Sequence, residues 1–160
     1  MKNINSIRFY KTEISLCFLF LFLIFFIGCS PKIIQHGLVS YVNSNGKETI
    51  KVKADDYGKS EKEAVANAEK LAINTLLNVG ITGSEVNSPM IGINVDKTSK
   101  EEYLKKLFAN DRYRSFLTCS ENVQVVKEKR VYHATLNCCV SYRALRKDLE
   151  DNNIIKKLGL

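Results

Sequence analysis

Residues 38 to 54 read LVSYVNSNGKETIKVKA, two alternating runs on either side of Asn45-Gly46. Alternation of apolar and polar side chains is the period of a half-buried strand, and Asn-Gly suits the positive backbone dihedrals of a tight hairpin turn. With Asn45 and Gly46 as the central pair, Val39 lies opposite Val52 and Tyr41 opposite Ile50. One face of the hairpin is then apolar, and Lys47, Lys51 and Lys53 point to the other. An apolar sheet face needs a cover, and the next segment supplies it. Ser60 and Glu63 have capping-box spacing, and Ala64, Val65, Ala68, Leu71, Ala72, Thr75, Leu76 and Val79 follow at helical intervals, with Gly80 as the stop. The alanines allow close approach of the helix to the sheet.

Farther along the chain, residues 81 to 94 (ITGSEVNSPMIGIN) hold Gly83, Pro89 and Gly92 without a steady period and read as a long loop. Ser99 and Glu102 repeat the capping pattern before Tyr103, Leu104, Leu107 and Phe108, which predicts a short helix ending near Asn110 or Asp111. Phe116 to Val126 and Val131 to Val140 are β-rich runs around Glu128-Lys129, and Tyr132, Ala134, Leu136, Cys138 and Val140 alternate with polar neighbours. Tyr142 to Glu150, with Leu145 and Leu149 on one side, predicts a last helix, followed by a loosely attached Ile154-Ile155-Leu158 end. The expected fold class is α+β, a mainly antiparallel sheet of two β-hairpins with helices packed on one face, in the order ββ-α-α-ββ-α.

The amino-terminal part is a different object. The chain has 160 residues, a formal net charge of +7, 45% hydrophobic and 26% charged residues, five cysteines and two histidines. That composition fits one ordinary domain and excludes wholesale disorder. The apolar residues are concentrated, however, in Leu16 to Ile27, which reads LCFLFLFLIFFI. Lys2, Arg8 and Lys11 precede it and Gly28 follows, the three-part layout of a secretory signal. As a helix, Ile14 to Ile27 measures about 21 Å at about 1.5 Å per residue. That is short of the roughly 30 Å hydrocarbon core a stable span must cross.

The end of the leader, Phe26-Ile27-Gly28-Cys29, resembles the lipobox of bacterial lipoproteins, with Phe26 in place of the usual leucine. The resemblance implies that residues 1–28 are a signal peptide, that Cys29 receives a diacylglycerol thioether, and that the new amino terminus is acylated. A cleaved, unlipidated secreted protein and an uncleaved anchor are the alternatives. Residues 29–37 then form the lipidated cysteine and a tether, Ser30 to Gly37, of at most about 29 Å. Residues 38–160 form a single domain. Ser30 is not the aspartate that commonly retains such lipoproteins at the inner membrane, which by resemblance implies the periplasmic face of an outer membrane.

Tyr57-Gly58-Lys59-Ser60, the alanine-rich helix, the Gly80-Ile81-Thr82-Gly83-Ser84 turn, Tyr113-Arg114-Ser115-Phe116, the late hairpin and Ala144-Leu145-Arg146-Lys147 together resemble small envelope lipoproteins of Bacteroidetes. More distantly, they resemble LPP20-type lipoproteins and the amino-terminal domain of the flagellar assembly protein FlgT. Asp56 stands where those families often carry a second glycine. The resemblance implies an envelope or assembly protein without catalytic residues. The expected function is thus a non-enzymatic, lipid-anchored cell-envelope protein acting as an interaction or assembly module, with membrane and another envelope protein as partners. The alternative is a periplasmic binding module for an envelope glycan or small anion.

Three further sets of residues are candidates. Gly80, Thr82, Gly83 and Ser84 form the possible ligand loop, since glycine amides approach anions closely; the segment lacks the Gly-Lys-Ser/Thr ending of a phosphate loop. Arg143, Arg146 and Lys147, with Lys156 and Lys157, form a basic end suited to anionic head groups. Nucleic acid is not an expected partner, because the aromatics are not interleaved with the basic residues. If the second hairpin turns on Glu128-Lys129, Val125 faces Tyr132, Val123 faces Ala134 and Cys119 faces Cys138, which makes a Cys119–Cys138 disulfide possible. The other state leaves Cys119, Cys138 and Cys139 reduced. No cofactor is expected, and no metal: His133 and Cys139 share a face but lie six residues apart, roughly 20 Å along a strand.

Overall fold

The structure, a computed structural model, describes residues 37–44 and 48–157. Its elements are β1 (Leu38–Ser44), β2 (Thr49–Gly58), α1 (Glu61–Asn78), α2 (Lys97–Phe108), a 3-10 segment (Ala109–Phe116), β3 (Leu117–Glu128), β4 (Val131–Ser141) and α3 (Tyr142–Asp151). The strands form one antiparallel sheet in the order β1-β2-β4-β3, so the two hairpins join through β2 and β4. The helices pack on one side of the sheet. The expected α+β class and element order therefore hold.

The reason lies in the parity of β2 and β4. Ile50, Val52 and Ala54 of β2 and Ala134, Leu136, Cys138 and Val140 of β4 are all at most 1% exposed. The register sets Ile50 against Val140, Val52 against Cys138 and Ala54 against Leu136, so both central strands send the same face inward. Onto that face α1 lays Ala64, Ala68, Ala72, Ile73, Leu76 and Leu77, every one fully buried. Alanine at three successive turns keeps the helix close to the strands, while the large residues at its end contribute about 2 kcal/mol each by burial. Gly58 makes the same approach possible at the other end, because a Cβ there would strike the backbone of Glu63 and Ala64.

The caps of α1 follow the sequence. The Ser60 hydroxyl accepts from the Glu63 amide, and the Glu63 carboxylate accepts from the Lys59 amide, one residue earlier than in the standard capping box. Gly80 ends the helix at φ +84, donating to Thr75, and a Cβ there would lie 2.6 Å from the Ser88 backbone. Val79, expected on the inner face, is instead 65% exposed, since the chain has already left helical geometry at that residue. The second capping pattern is also displaced. Asp96 is the cap of α2, accepting from the Ser99 amide and hydroxyl, so the helix begins one turn before the expected Ser99-Glu102 start. Glu102 pairs with Lys106 instead.

Asn110 and Asp111, both in the left-handed region, turn the chain after α2 and bring Tyr113 and Phe116 into the core. The carboxy-terminal end is more firmly attached than expected. Asn153 takes φ 57, the Ile154 amide donates to Leu149, and Ile154 packs into the core cluster. Leu158 lies outside the described residues.

Both hairpins differ in register from expectation. In the first, Val39 pairs with Ala54 and Tyr41 with Val52, with an irregularity between Tyr41 and Asn43. The shift is even, so the apolar face is preserved. The expected turn residues Asn45 and Gly46, and Lys47 with them, lie outside the described residues. In the second hairpin Glu128 pairs with Val131, so the turn is Lys129-Arg130, with Lys129 at φ 55, rather than Glu128-Lys129.

Candidate functional site

The sheet surface opposite the helices carries the residues with unused chemistry. Odd-numbered positions of β2 and β4 place Lys51, Lys53, Asp55 and Tyr57 beside Cys139, Asn137, Thr135 and His133. The edge strand β3 adds to this surface through two irregularities. Asn122, at φ 52, bulges so that Glu121 faces Asn137 and Gln124 faces Thr135; a second shift separates Leu117 from Cys119. Asparagine tolerates the left-handed region better than most residues, which makes it a suitable bulge position.

These bulges decide the cysteine pairing. Cys119 faces Cys139, at a Cα separation of 4.8 Å, and the two form a disulfide. The expected Cys119–Cys138 bond is therefore replaced by its neighbour. A regular ladder from a turn at Glu128-Lys129 sends Cys119 to the core face; the turn shift is even and keeps that face, and the odd insertion at Asn122 sends Cys119 to the open one, opposite Cys139. Cys138 stays in the core as a free thiol, which burial pushes up to about 12, the Glu69 carboxylate adding to the effect.

Around the disulfide, Lys51 Nζ lies 2.6 Å from Glu121 Oε2, and Asn43, Thr49 and Thr118 complete a groove of about 450 Å³. Farther along the same surface, His133 stacks on Tyr57 with ring centroids 4.4 Å apart and planes inclined by 16°. Its Nε2 is 3.3 Å from Asp55 Oδ2, and its Nδ1 is 3.8 Å from Glu128 Oε1. An ionised carboxylate only accepts, so the bond to Asp55 requires the proton on Nε2.

On the helical side two carboxylates hold the turn region. Glu69, only 7% exposed, accepts from Tyr113 Oη at 3.2 Å and Arg114 Nε at 3.0 Å. Burial, with Glu69 second, pushes the Tyr113 phenol up to about 12. Asp148 of α3 accepts from Tyr103 Oη at 2.8 Å and from Arg112. Burial and then Asp148 raise the Tyr103 phenol as well. These groups tie α1, α2, the 3-10 segment and α3 together, and every side chain in them is committed to another. Sequence reasoning passed over Glu69 and Asp148. The signal was a carboxylate beside the inner stripe of a helix, with Arg112-Tyr113-Arg114 in the chain to meet it.

The other sequence candidates stand apart from the open face. In the loop, the amides of Gly80, Ile81 and Ser84 donate to Thr75, Val86 and Ile81, and the Ser84 hydroxyl donates to Ile81. Glu85 follows directly, its carboxyl held below the usual range by a hydrogen bond from Ser44. Of the candidate residues Gly80, Thr82, Gly83 and Ser84, Gly80 and Ser84 thus have their amides engaged by nearby carbonyls, with a carboxylate directly following. At the basic end, Arg143 pairs with Glu48 and Arg146 with Glu150, while Lys147 is exposed. Cys29 lies outside the described residues. No helix among the described residues is long and apolar enough to cross a membrane. No protein family, curated protein or solved structure matches this chain.

Proposed function

We propose that this protein is a lipid-anchored component of a bacterial cell envelope, held through Cys29 at the periplasmic face of an outer membrane, whose small α+β domain contacts another envelope protein. The observation that carries the reading is Phe26-Ile27-Gly28-Cys29 directly after an apolar stretch too short to span. The Cys119–Cys139 disulfide lends support, because a half-exposed disulfide persists in an oxidising compartment and is rare in a reducing one. The resemblance to LPP20-type lipoproteins and the FlgT amino-terminal domain points the same way.

The role is attachment and contact rather than catalysis. Tethering confines the domain to a thin layer and raises its effective concentration for membrane-bound partners. Among the described residues the helices lie on one side of the sheet, and its other side, with Lys53, Tyr57 and Val126, is the surface for such contact. Arg143, Arg146 and Lys147 add attraction to anionic head groups to the extent that Glu48 and Glu150 release them. The test is Cys29→Ser in the full chain. The variant is expected to keep its far-ultraviolet circular dichroism yet leave the membrane fraction, and retention there overturns the anchor.

A further inference from the structure

We propose that the reduced protein binds one thiophilic divalent cation, with zinc the best fit, at Cys119, Cys139 and Glu121 on the open face of the sheet. The two sulfurs and a carboxylate oxygen of Glu121 all lie within 4.8 Å of one another. Tetrahedral zinc with Zn–S near 2.3 Å and Zn–O near 2.0–2.2 Å needs its ligand atoms roughly 3.5–3.8 Å apart, so only short side-chain movements separate this cluster from a coordination sphere. The backbone needs none. Cys119 and Cys139 are direct partners on adjacent strands, and Glu121, two residues from Cys119, keeps the same face because the Asn122 bulge comes after it.

Charge and space fit the same ion. Two thiolates and a carboxylate carry three negative charges; zinc and the Lys51 ammonium, already 2.6 Å from Glu121, balance them. The groove of about 450 Å³ beside the cluster leaves the fourth position to water, as in other zinc sites with three protein ligands. His133 is not part of the set, being held by Asp55, Glu128 and Tyr57.

Oxidation state gates the site. A dithiol reductant transfers two electrons and two protons to the Cys119–Cys139 bond, becoming a disulfide itself and leaving two thiols. Zinc then replaces both thiol protons, forming two Zn–S bonds and releasing two protons to solvent. While the disulfide stands, the sulfurs are not thiolates and the cation has no strong ligands.

The experiment uses the full chain in detergent, reduced with dithiothreitol without oxygen, freed of reductant and titrated with cobalt(II). One equivalent is expected to bind with a thiolate-to-cobalt charge-transfer band, which zinc abolishes and which the oxidised protein lacks. Cys119→Ser removes the band although the other cysteines remain, and Cys138→Ala keeps it. Glu121→Gln, at a half-exposed position that the fold does not need, weakens binding about tenfold or more and decides the matter if Cys119→Ser fails to fold. No band in the reduced protein, a band surviving in Cys119→Ser, or unchanged affinity in Glu121→Gln overturns the proposal.

Discussion

Cys138 and Cys139 are neighbours in the chain and belong to different chemistries. Cys138 looks into the core, among Val52 and the helix, and keeps its proton; Cys139 looks outward and is bonded to Cys119. The same division runs the length of the central strands. On one side Ile50, Val52, Ala54, Leu136 and Val140 are shut away from water, and on the other Lys51, Lys53, Asp55, Asn137 and His133 meet it. A strand assigns its residues to faces by parity alone, so one inserted residue exchanges a packing group for a reactive one. Asn122 makes that exchange in β3.

The covered face carries most of the stability, so the largest loss is expected there. Leu136→Ala, at a side chain 1% exposed between two strands and under α1, should lower the free energy of unfolding by about 4 kcal/mol, within the range for buried leucines. Urea midpoints compare it with the wild type. A loss under about 1 kcal/mol would mean that α1 does not rest on this strand.

The open face contributes through a bond instead of burial. Reducing Cys119–Cys139, which closes a segment of sequence separation 20, should cost about 3 kcal/mol by chain entropy. The measurement is the urea midpoint with and without reductant. Cys119→Ser should reproduce the reduced value, and reductant should then have no effect. If Cys138→Ser removes the reductant effect instead, the pairing is the one expected from a regular ladder and the Asn122 bulge is wrong.

How much of this was legible follows from the same distinction. The periods of β2, β4, α1 and α3 are long enough to fix which residues face inward, and Ile50, Val52, Ala68, Leu76, Leu145 and Leu149 are all where spacing puts them. Register is a different matter, because it depends on single residues that break a period. Nothing in Ser120-Glu121-Asn122-Val123 distinguishes an asparagine at φ 52 from one in a regular strand. The cysteine partner and the placement of Glu121 beside it were therefore beyond the sequence. The cap of α2 was ambiguous for a related reason: Asp96 and Ser99 are each competent caps, and the earlier one adds a turn of backbone hydrogen bonds. Glu69 and Asp148 needed the tertiary fold to show which arginines and tyrosines reach them.

Alkaline solution separates the two adjacent cysteines further. The Cys138 thiol is raised from 9.0 to about 12, so the native state holds its proton longer than the unfolded chain does. Its contribution is complete below about pH 9 and is lost as pH rises from there toward 12, by at most about 1.4 kcal/mol per pH unit. Between pH 9 and 10, stability in urea should fall more steeply for the wild type than for Cys138→Ala. Tyr113, raised from 10.0 to about 12, adds the same sign of effect above pH 10 in both proteins. Parallel curves would place the Cys138 sulfur in contact with water.

The smallest effect is expected at Lys51, although its ion pair with Glu121 is short. Both groups reach solvent, with side-chain exposures of 24% and 48%, so water screens the attraction and competes for both charges. Lys51→Met should change the urea midpoint by no more than about 0.5 kcal/mol in free energy and lose what little salt dependence the pair adds. The same substitution reads differently in the reduced protein with zinc, where Lys51 supplies the charge that brings three anionic ligands and one divalent ion to neutrality. Lys51→Met is expected to weaken metal binding while leaving the oxidised fold unmoved. Equal effects in both states would make Lys51 a structural residue of the sheet rather than a counter-ion of the groove.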